Sequence, residues 1–250
     1  MRDADGIRAD LHRSGDEPLM LARKLPGAVI VVGADRYAAG RLAESRHGCT
    51  VHVLDDGFQH LQLHRNVDLV SVAPQDLSRP VTLPGGRLRE PIDVLSAATG
   101  VIALDGAEPA TVAAHARIWR AHRALQAARL VDDVDRTITP CTGSVVALAG
   151  IAAPERFFDD LRALGWPLSR TLAFADHHPY TRSDVHRVVA VAHEEGASML
   201  VTTEKDVVRL LAFRPLPIPL AFVPMSISIE KQDDFDRWLV GLLASSRKAA

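Results

Sequence analysis

The sequence has little lysine, no excess of basic residues and no long apolar segment. Four of its 29 basic residues are lysines, and 31 acidic residues leave a formal net charge of -2. Without a basic excess the chain is not expected to bind nucleic acid, so an anionic partner must be held by a local group of side chains. No apolar run approaches the roughly 18–20 residues that span a bilayer, and the polar N-terminal stretch is unlike a signal peptide. We therefore expect a cytoplasmic protein.

Cysteine is also scarce. The two cysteines, Cys49 and Cys141, lie far apart and match no metal-ligand or redox spacing. Isolated thiols of this kind suit a reducing compartment and provide no disulfide framework. With 47% hydrophobic and 24% charged residues, the 250-residue chain has the composition of a globular protein with one large α/β domain or two small ones.

Short β-branched runs alternate with helical stretches, which predicts an α/β fold with a mostly parallel sheet and helices on both faces. The predicted strands are residues 28–32, 50–54, 67–72, 100–104, 144–150, 198–203 and 220–224. The predicted helices are 19–25, 36–46, 111–130, 154–164, 183–195 (N-cap Ser183) and 233–243. A boundary near residues 130–142 divides the chain into a core α/β domain, 1–135, and a second α/β half, 136–250.

The strongest local motif is a pair of carboxylates after a predicted strand. Asp55 and Asp56 follow residues 50–54 and would lie at the carboxyl edge of a parallel sheet, where α/β proteins bind ligands. One or two carboxylates there can hold Mg²⁺ beside a nucleotide phosphate. The alternative is an Asp-Gly turn that ends a strand.

A second motif lies in the loop from residue 74 to residue 91, which is rich in Pro, Gly and Arg. Loops of this length inside a compact domain tend to be functional. Glycines 85–86 let the backbone approach a ligand, and Arg87 and Arg89 can grip a phosphate. Glu90 can bind a metal or position an arginine. The alternative is a solvated turn with surface arginines.

Three further motifs contain clustered charges. Asp-His-His at 176–178 could contribute to a metal site, or a histidine held by a carboxylate could act as a general base. The alternative there is a turn capped by Asp176 with both histidines at the surface. Thr-Glu-Lys-Asp at 203–206 follows a predicted strand and lies at the ligand-binding edge of the sheet, or it begins an ion-paired helix. Ser-Gly-Asp-Glu-Pro at 14–18 precedes a helix, whose dipole favours acidic residues at its start.

The predicted helix over residues 111–130 is also basic. Its arginines 117, 120, 123 and 129 could face anionic lipid, or they could line a solvated helix face. The two interpretations differ in whether vesicle binding depends on these arginines.

The order of the motifs along the chain resembles that of the tetraacyldisaccharide 4'-kinase family of lipid A biosynthesis. The resemblance covers roughly residues 14–240, through the segments 15–18, 32–36, 55–60, 88–90, 174–177 and 203–206. It implies a P-loop-kinase-like fold and an enzyme that lies peripherally at the cytoplasmic face of the inner membrane. It also implies that ATP and Mg²⁺ are used to phosphorylate the 4'-hydroxyl of a glycolipid, a tetraacylated glucosamine disaccharide 1-phosphate.

The resemblance assigns roles to individual side chains. Asp16 and His177 correspond to a pair that activates or orients the 4'-hydroxyl. The residues implied for the metal are Asp55, Asp56 and Glu90, and those implied for the nucleotide are Gln59, His60 and Arg89. The resemblance gives no role to residues 203–206.

The sequence departs from the family in one respect. The family carries a GxxxxGK[ST] loop upstream of the Gly-Asp-Glu-Pro motif, and its amides and lysine hold the β- and γ-phosphates. Here none of the four lysines follows a glycine. The sequence therefore predicts a chain whose first strand and phosphate-binding loop are missing, as when a start codon is assigned too late. The alternatives are a non-catalytic relative that binds a glycolipid or a protein, and a metal-dependent hydrolase that uses residues 176–178 with Asp55 and Asp56.

Overall fold

The computed structural model describes residues 2–3, 6–7, 10–140 and 143–248, so Cys141 lies outside the described residues. The helices are α1 (Leu11–Ser14), α2 (Asp16–Lys24), α3 (Arg36–His47), α4 (Pro74–Ser78), α5 (Pro154–Ala163), α6 (Arg182–Glu194), α7 (Glu204–Leu210) and α8 (Gln232–Lys248), with 3-10 helices at Ile92–Ala97 and Leu211–Phe213. The strands are β1 (Arg2–Asp3), β2 (Gly6–Ile7), β3 (Leu69–Val72), β4 (Gly100–Leu104), β5 (Arg117–Leu125), β6 (Ala128–Leu130), β7 (Thr137–Ile138), β8 (Val145–Ala149), β9 (Leu168–Ala173), β10 (Met199–Thr203), β11 (Leu220–Val223) and β12 (Met225–Ile229). None of the helices within these ranges is long and apolar enough to cross a membrane.

The chain forms two compact units, each built from two stretches of sequence. The first unit comprises residues 1–52 and 125–225, and the second comprises residues 53–124 and 226–250. This division differs from the predicted one at residue 135. The difference arises because the chain returns after β11, so that β12 joins the sheet that contains β5.

The first unit contains a six-stranded sheet in the order β7-β6-β11-β10-β8-β9. Strands β9, β8, β10 and β11 are parallel, with β9 at one edge of the sheet, whereas β6 and β7 are added antiparallel at the other edge. Alternate residues of β8 face opposite layers: Val146 and Leu148 pack in the core formed with α6 and α7, and Val145 and Ala147 pack against α5. The predicted α/β fold, with a mostly parallel sheet and helices on both faces, is confirmed.

The order of the parallel strands creates a crevice at the carboxyl ends of β8 and β10. From β8 the chain runs through α5 to β9 on one side, and then through α6 to β10 on the other side of β8. The connections that follow β8 and β10 therefore diverge at the carboxyl ends of these two strands. Such switch points are where open α/β sheets bind their ligands.

The second unit contains a four-stranded sheet in the order β12-β5-β4-β3, in which β3, β4 and β5 are parallel. Its core includes Val72, Leu95 and Val101. Two rings of α8, Phe235 and Trp238, each lie 5.3 Å from the ring of Trp119 on β5, measured between centroids. These aromatic contacts attach α8 to the sheet.

Most of the predicted elements occur within a few residues of their expected places. Confirmed helices are those predicted at 19–25, 36–46, 154–164, 183–195 and 233–243, and confirmed strands are those at 67–72, 100–104, 144–150, 198–203 and 220–224. The predicted N-cap Ser183 is wrong. Thr181 caps α6 instead, because its hydroxyl accepts the Asp184 amide while the Asp184 carboxylate accepts the Thr181 amide.

The helix predicted over residues 111–130 is wrong, because β5 and β6 occupy that stretch. In β5 the buried residues Trp119 and Ala121 are separated by one exposed residue, which is the period of a strand. The arginines in this stretch therefore do not line one face of a helix. Arg120 pairs with Glu108 at 2.8 Å, and the proposed lipid-binding helix face does not form.

The strands predicted at residues 28–32 and 50–54 are also wrong. In the described structure the first stretch has a single bridge position at Ile30, and the second has no regular secondary structure. Val53 is 92% exposed. A strand needs a neighbour to pair its amides and carbonyls, and neither stretch has a continuous ladder within the described residues.

Candidate active site

Asp16 and His177 meet at the crevice of the first unit. Asp16 is the first residue of α2 and is buried, and its oxygens lie 3.0 and 3.1 Å from His177 Nδ1. Gly15, at φ 82°, precedes it in a conformation that favours glycine. The structure thus brings together two side chains that are 161 positions apart.

The partners of the His177 ring define one tautomer. A carboxylate only accepts hydrogen bonds, so Asp16 requires a proton on Nδ1. Lys205 Nζ lies 3.1 Å from Nε2 and only donates, so Nε2 presents its lone pair. The ring is 54% exposed. A neutral imidazole, oriented by a carboxylate and with an accessible Nε2, is suited to act as a general base.

The His177 backbone is held in an uncommon conformation. Its φ is 55°, in the left-handed region, which costs conformational energy for a residue with a Cβ. Its amide donates to the carbonyl oxygen of Gly150, at the end of β8, and to Asp176 Oδ1, at 3.1 and 3.0 Å. The predicted turn capped by Asp176 is therefore present, and it directs His177 towards Asp16.

Asp206 lies beneath this turn and is fully buried. Its carboxylate accepts hydrogen bonds from the Gly150 amide at 3.0 and 3.1 Å, from Tyr180 at 2.8 Å, and from Thr203 and Arg209 at 2.6 Å each. A buried charge is tolerated only when it is satisfied in this way. Burial and the neighbouring Asp206 charge together raise the pKa of the Tyr180 hydroxyl, so it remains a donor.

Residues 203–206 therefore begin a helix, which was one of the two interpretations of the Thr-Glu-Lys-Asp motif. The Thr203 hydroxyl accepts the Asp206 amide at 3.0 Å and caps α7. Lys205 Nζ also donates to Glu17 at 2.8 Å, and Lys24 pairs with Glu204 at 2.7 Å. The motif thus supplies both a buried carboxylate and the ammonium group beside His177.

Arg209 connects this buried layer to both members of the pair. It is 5% exposed, and its Nη2 donates to the carbonyl oxygen of Gly150 at 2.8 Å. Its Nη1 donates to the carbonyl oxygen of His178 at 3.2 Å. Its Nε lies 3.5 Å from Asp16 Oδ2, as an ion-pair contact.

The second histidine of the 176–178 motif has a different partner. His178 Nε2 lies 3.1 Å from Asp184 Oδ2, within the first turn of α6. Hydrogen bonds from the Thr181 hydroxyl and amide, and then the bond to His178, lower the pKa of Asp184 to about 2. His178 thus supports the start of a helix, and it is not paired with the Asp16 carboxylate.

The other predicted site residues lie in the second unit. Asp55 and Asp56 form an exposed turn, with Asp56 at φ 52°, so the Asp-Gly turn interpretation is correct for the backbone. Gly57 is required there, since an added Cβ would lie 2.6 Å from Leu54 Cβ. Arg89 Nη2 pairs with Asp56 Oδ2 at 3.1 Å, and both side chains are largely exposed.

The loop that carries Arg89 is closed by its own backbone. The Leu83 amide donates to the Leu88 carbonyl oxygen at 2.8 Å, and the Gly86 amide donates to the Thr82 carbonyl oxygen at 2.9 Å. Arg87 pairs with Asp76 at the surface, at 3.1 Å. This loop is therefore a folded turn with surface arginines, and it brings the predicted nucleotide residue Arg89 to the predicted metal residue Asp56.

Three predicted residues lie close in sequence to this pair. Glu90 is half-buried, Gln59 is exposed, and His60 is half-buried in the turn after Gly57. The His60 carbonyl oxygen accepts from Arg65 at 2.8 Å, which fixes the backbone of this turn. The roles of these three side chains in binding a metal or a nucleotide remain predictions.

No group of three or more His, Cys, Asp or Glu side chains in the described part of the chain is arranged to hold a metal ion by itself. This leaves the hydrolase interpretation without a protein metal centre among those residues. A magnesium site of the kind predicted needs fewer protein ligands, since Mg²⁺ usually takes one or two carboxylates together with waters and substrate phosphates. The adjacent exposed carboxylates of Asp55 and Asp56 fit that requirement.

Sequence reasoning missed three residues of the buried layer: Gly150, Tyr180 and Arg209. Gly150 is recognisable only as the end of a strand, although an added Cβ would lie 3.0 Å from Asp206 Oδ1. Arg209 follows Asp206 by three positions, a spacing that places both on one side of a helix. That spacing does not indicate burial, because most such pairs are exposed.

Comparisons with known proteins agree with the motif order. The sequence model of the family described as "Tetraacyldisaccharide-1-P 4'-kinase" matches residues 3–244. Among curated relatives, the tetraacyldisaccharide 4'-kinase of Geobacter metallireducens is 41% identical over 214 residues, which are 83% of this chain and 63% of that protein. The enzyme of the same name from Koribacter versatilis is 38% identical over 226 residues, or 88% of this chain and 67% of that protein.

The fold also matches a solved structure of the family. The crystal structure of "apo" form LpxK from Aquifex aeolicus, in complex with ATP, superposes with a TM-score of 0.73 at 23% identity, and the match covers 95% of this chain and 71% of that one. The chain spans about two thirds of the length of these two curated relatives. By the extent of the family match and by its identity to these relatives, the chain belongs to the tetraacyldisaccharide 4'-kinase family.

Proposed function

We propose that the protein is a lipid A biosynthesis kinase. It transfers the γ-phosphoryl group of ATP to the 4'-hydroxyl of tetraacyldisaccharide 1-phosphate. The observation that carries the proposal is the contact between the buried Asp16 carboxylate and His177, at the sheet edge where α/β proteins bind ligands. The family of the chain supplies the substrate class, and the ATP in the Aquifex aeolicus structure supplies the phosphoryl donor.

His177 is the general base in this proposal. Asp16 holds Nδ1–H, so Nε2 can take the proton of the 4'-hydroxyl. The hydroxyl oxygen then bonds to the γ-phosphorus, the bond from that phosphorus to the β–γ bridging oxygen breaks, and ADP leaves. Asp16 stabilises the imidazolium that forms, as a carboxylate does for a histidine base in other enzymes.

Lys205 has a role on the other side of the ring. The substrate hydroxyl takes the place of the Lys205 N–H at Nε2, and the ammonium stays near because Glu17 holds it at 2.8 Å. A cation in that position faces the negative charge of the transferring phosphoryl group, which is the charge that kinase sites neutralise.

Asp55 and Asp56, with Glu90, would hold Mg²⁺, which when bound neutralises phosphate charge in phosphoryl transfer. Arg89 pairs with Asp56 and is placed to contact a phosphate as well. Gln59 and His60 are the neighbours proposed to support the nucleotide. We also propose that the protein binds the glycolipid acceptor and that it contacts the cytoplasmic face of the inner membrane peripherally.

The direct test is ATP-dependent phosphorylation of tetraacyldisaccharide 1-phosphate in detergent micelles, followed by mass spectrometry of the lipid. The 250-residue chain is assayed beside any longer product of the same reading frame. The longer product is included because the phosphate-binding loop of the family, GxxxxGK[ST], contains a lysine directly after a glycine, and these 250 residues contain no such pair. The expected product carries one additional phosphoryl group. If neither folded protein forms it, the kinase proposal is wrong and a non-catalytic binding role takes its place.

The metal assignment gives a second prediction. Replacing Asp56 with asparagine should raise the Mg²⁺ concentration needed for half-maximal activity by about 10–100-fold, since losing an element of a metal site weakens metal affinity on this scale. Binding of Mn²⁺, followed by electron paramagnetic resonance with and without ATP, provides a readout that does not require turnover.

Asp93→Asn is the matched control, because Asp93 is an exposed aspartate of the same unit with no proposed role. Equal metal dependence in Asp56→Asn and Asp93→Asn would remove Asp56 from the metal site.

A further inference from the structure

The buried guanidinium of Arg209 lies against Asp16 itself and donates to two backbone carbonyl oxygens beside His177, those of Gly150 and His178. It is an arginine that the proposed mechanism does not use, and it lies in the second layer of the site. We infer that Arg209 is a positioning residue for this pair, held in place by Asp206. The inference rests on the proposed function for its kinetic part and on the geometry alone for its structural part.

Arg209 supports the His177 backbone through the carbonyl oxygen of Gly150. The left-handed backbone of His177 is maintained by the hydrogen bond from its amide to the Gly150 carbonyl oxygen, 3.1 Å long. The same oxygen accepts from Arg209 Nη2 at 2.8 Å, and the Gly150 amide donates to Asp206. The peptide groups of Gly150 are thus held on both sides by the Asp206–Arg209 pair. A shift of that pair would move the acceptor on which the His177 turn depends.

Arg209 also supports the other end of the same turn. Arg209 Nη1 donates to the carbonyl oxygen of His178, the residue that follows His177, at 3.2 Å. The carbonyl oxygens of Gly150 and His178, which lie on either side of the His177 turn, are therefore both bound to the rigid, planar guanidinium of Arg209. Lysine cannot reproduce this fork, because its ammonium is a single point of donation.

Arg209 lies next to Asp16 as well. Arg209 Nε lies 3.5 Å from Asp16 Oδ2, and it has no hydrogen-bond acceptor among the residues that the structure describes. The Arg209 charge therefore acts on Asp16 through proximity, while the Asp16 oxygens face His177 Nδ1 and Oδ1 also accepts the Glu17 amide at 2.9 Å. The carboxylate that orients the imidazole is thus next to a cation that is itself fixed by Asp206 at 2.6 Å.

The test is the variant Arg209→Lys, which keeps the charge and removes the fork. We expect kcat to fall by about 10–100-fold, as for other outer-layer positioning residues, with KM changed by less than about threefold because substrate contacts are intact. Arg123→Lys is the matched control. Arg123 is a part-buried arginine paired with Asp105 in the second unit, and its replacement should leave kcat unchanged.

A double-mutant cycle separates positioning from general stability. If Arg209 acts through the pair, Arg209→Lys should cause little further loss in a His177→Asn background, because residues that work as a unit are not additive. Fully additive losses would overturn the inference. So would wild-type kcat in a folded Arg209→Lys protein.

Nitrogen-15 NMR of the histidine ring gives a readout that needs no activity. In the wild-type chain His177 should show Nδ1 protonated and Nε2 unprotonated, with mixed tautomers in Arg209→Lys. If the tautomer changes while no variant, including wild type, phosphorylates the lipid, the kinase proposal fails and the positioning role stands. An unchanged tautomer overturns the positioning role.

Should Arg209→Lys not fold, Tyr180→Phe replaces it in the same measurements. Tyr180→Phe removes one donor from Asp206 with almost no change in volume. It should shift the tautomer in the same direction by a smaller amount, and wild-type behaviour of this folded variant would likewise contradict the inference.

Discussion

Replacing His177 with asparagine is expected to lower kcat by about 10²–10⁴-fold, the range by which a positioned general base accelerates proton transfer. Asparagine retains polarity but has no basic lone pair at the position of Nε2. KM for the glycolipid should change little, because in the proposed mechanism the ring acts on a single proton of the substrate. The measurement is steady-state phosphorylation of the disaccharide with purified, folded protein.

Asp16→Asn should cause a loss of similar size for a different reason. The amide can donate to Nδ1, which favours the tautomer that carries its proton on Nε2, the wrong nitrogen for a base. His193→Gln is the control, since His193 is an exposed histidine of α6. Activity of His177→Asn and Asp16→Asn equal to that of the control would exclude the pair from the chemical step.

The second large effect is expected in stability. Asp206→Asn removes a fully buried charge and leaves Arg209 buried without it, and breaking a buried ion pair in this way costs about 3–5 kcal/mol. The amide also presents two donors to a position where only donors converge, from Gly150, Tyr180 and Thr203. Urea unfolding followed by circular dichroism measures the change in the free energy of unfolding.

Asp159→Asn is the control for this experiment. Asp159 pairs with Arg162 on α5, and both side chains are at least half exposed. Exposed pairs of this kind contribute about 0–1 kcal/mol. If Asp206→Asn is no less stable than Asp159→Asn, the Asp206 network is not the structural centre of the first unit.

Three strands of the first unit, β8, β10 and β11, could be predicted because they are buried on both faces, whereas β6, β7 and the more exposed β9 were not predicted. Residues 144–150 and 198–203 form apolar runs that end at a glycine or at a capping threonine, so their type and limits were recognisable. The parallel pairing followed from the helices that separate them. These features depend on local sequence alone.

The errors lie where distant parts of the chain determine the structure. Residues 111–130 are rich in alanine, arginine and leucine, which favour a helix, yet pairing with β4 makes residues 117–125 a strand. Residues 50–54 alternate as a strand does, but no ladder forms along them among the described residues. In residues 117–125 the helix propensity is outweighed by pairing with a neighbouring strand. In residues 50–54 the strand propensity is not supported by any such pairing among the described residues.

The candidate site could likewise be predicted only in part from the sequence. Asp16 and His177 are far apart in sequence, and only the order of motifs in a known family could predict that they meet. The buried contacts of Arg209 could not be predicted, because an arginine on a short helix is usually exposed.

The Gly150 amide has a further consequence for measuring this protein. Gly150 follows the central strand β8, and its amide hydrogen is donated to the fully buried carboxylate of Asp206. Such a proton exchanges with solvent only when the surrounding layer opens, so its exchange rate approaches that of cooperative unfolding. The carbonyl oxygen of the same residue, in the next peptide group, accepts the His177 amide and so supports the turn of His177. One slowly exchanging amide would therefore report how often the His177 turn loses its support, in the resting protein and without any substrate.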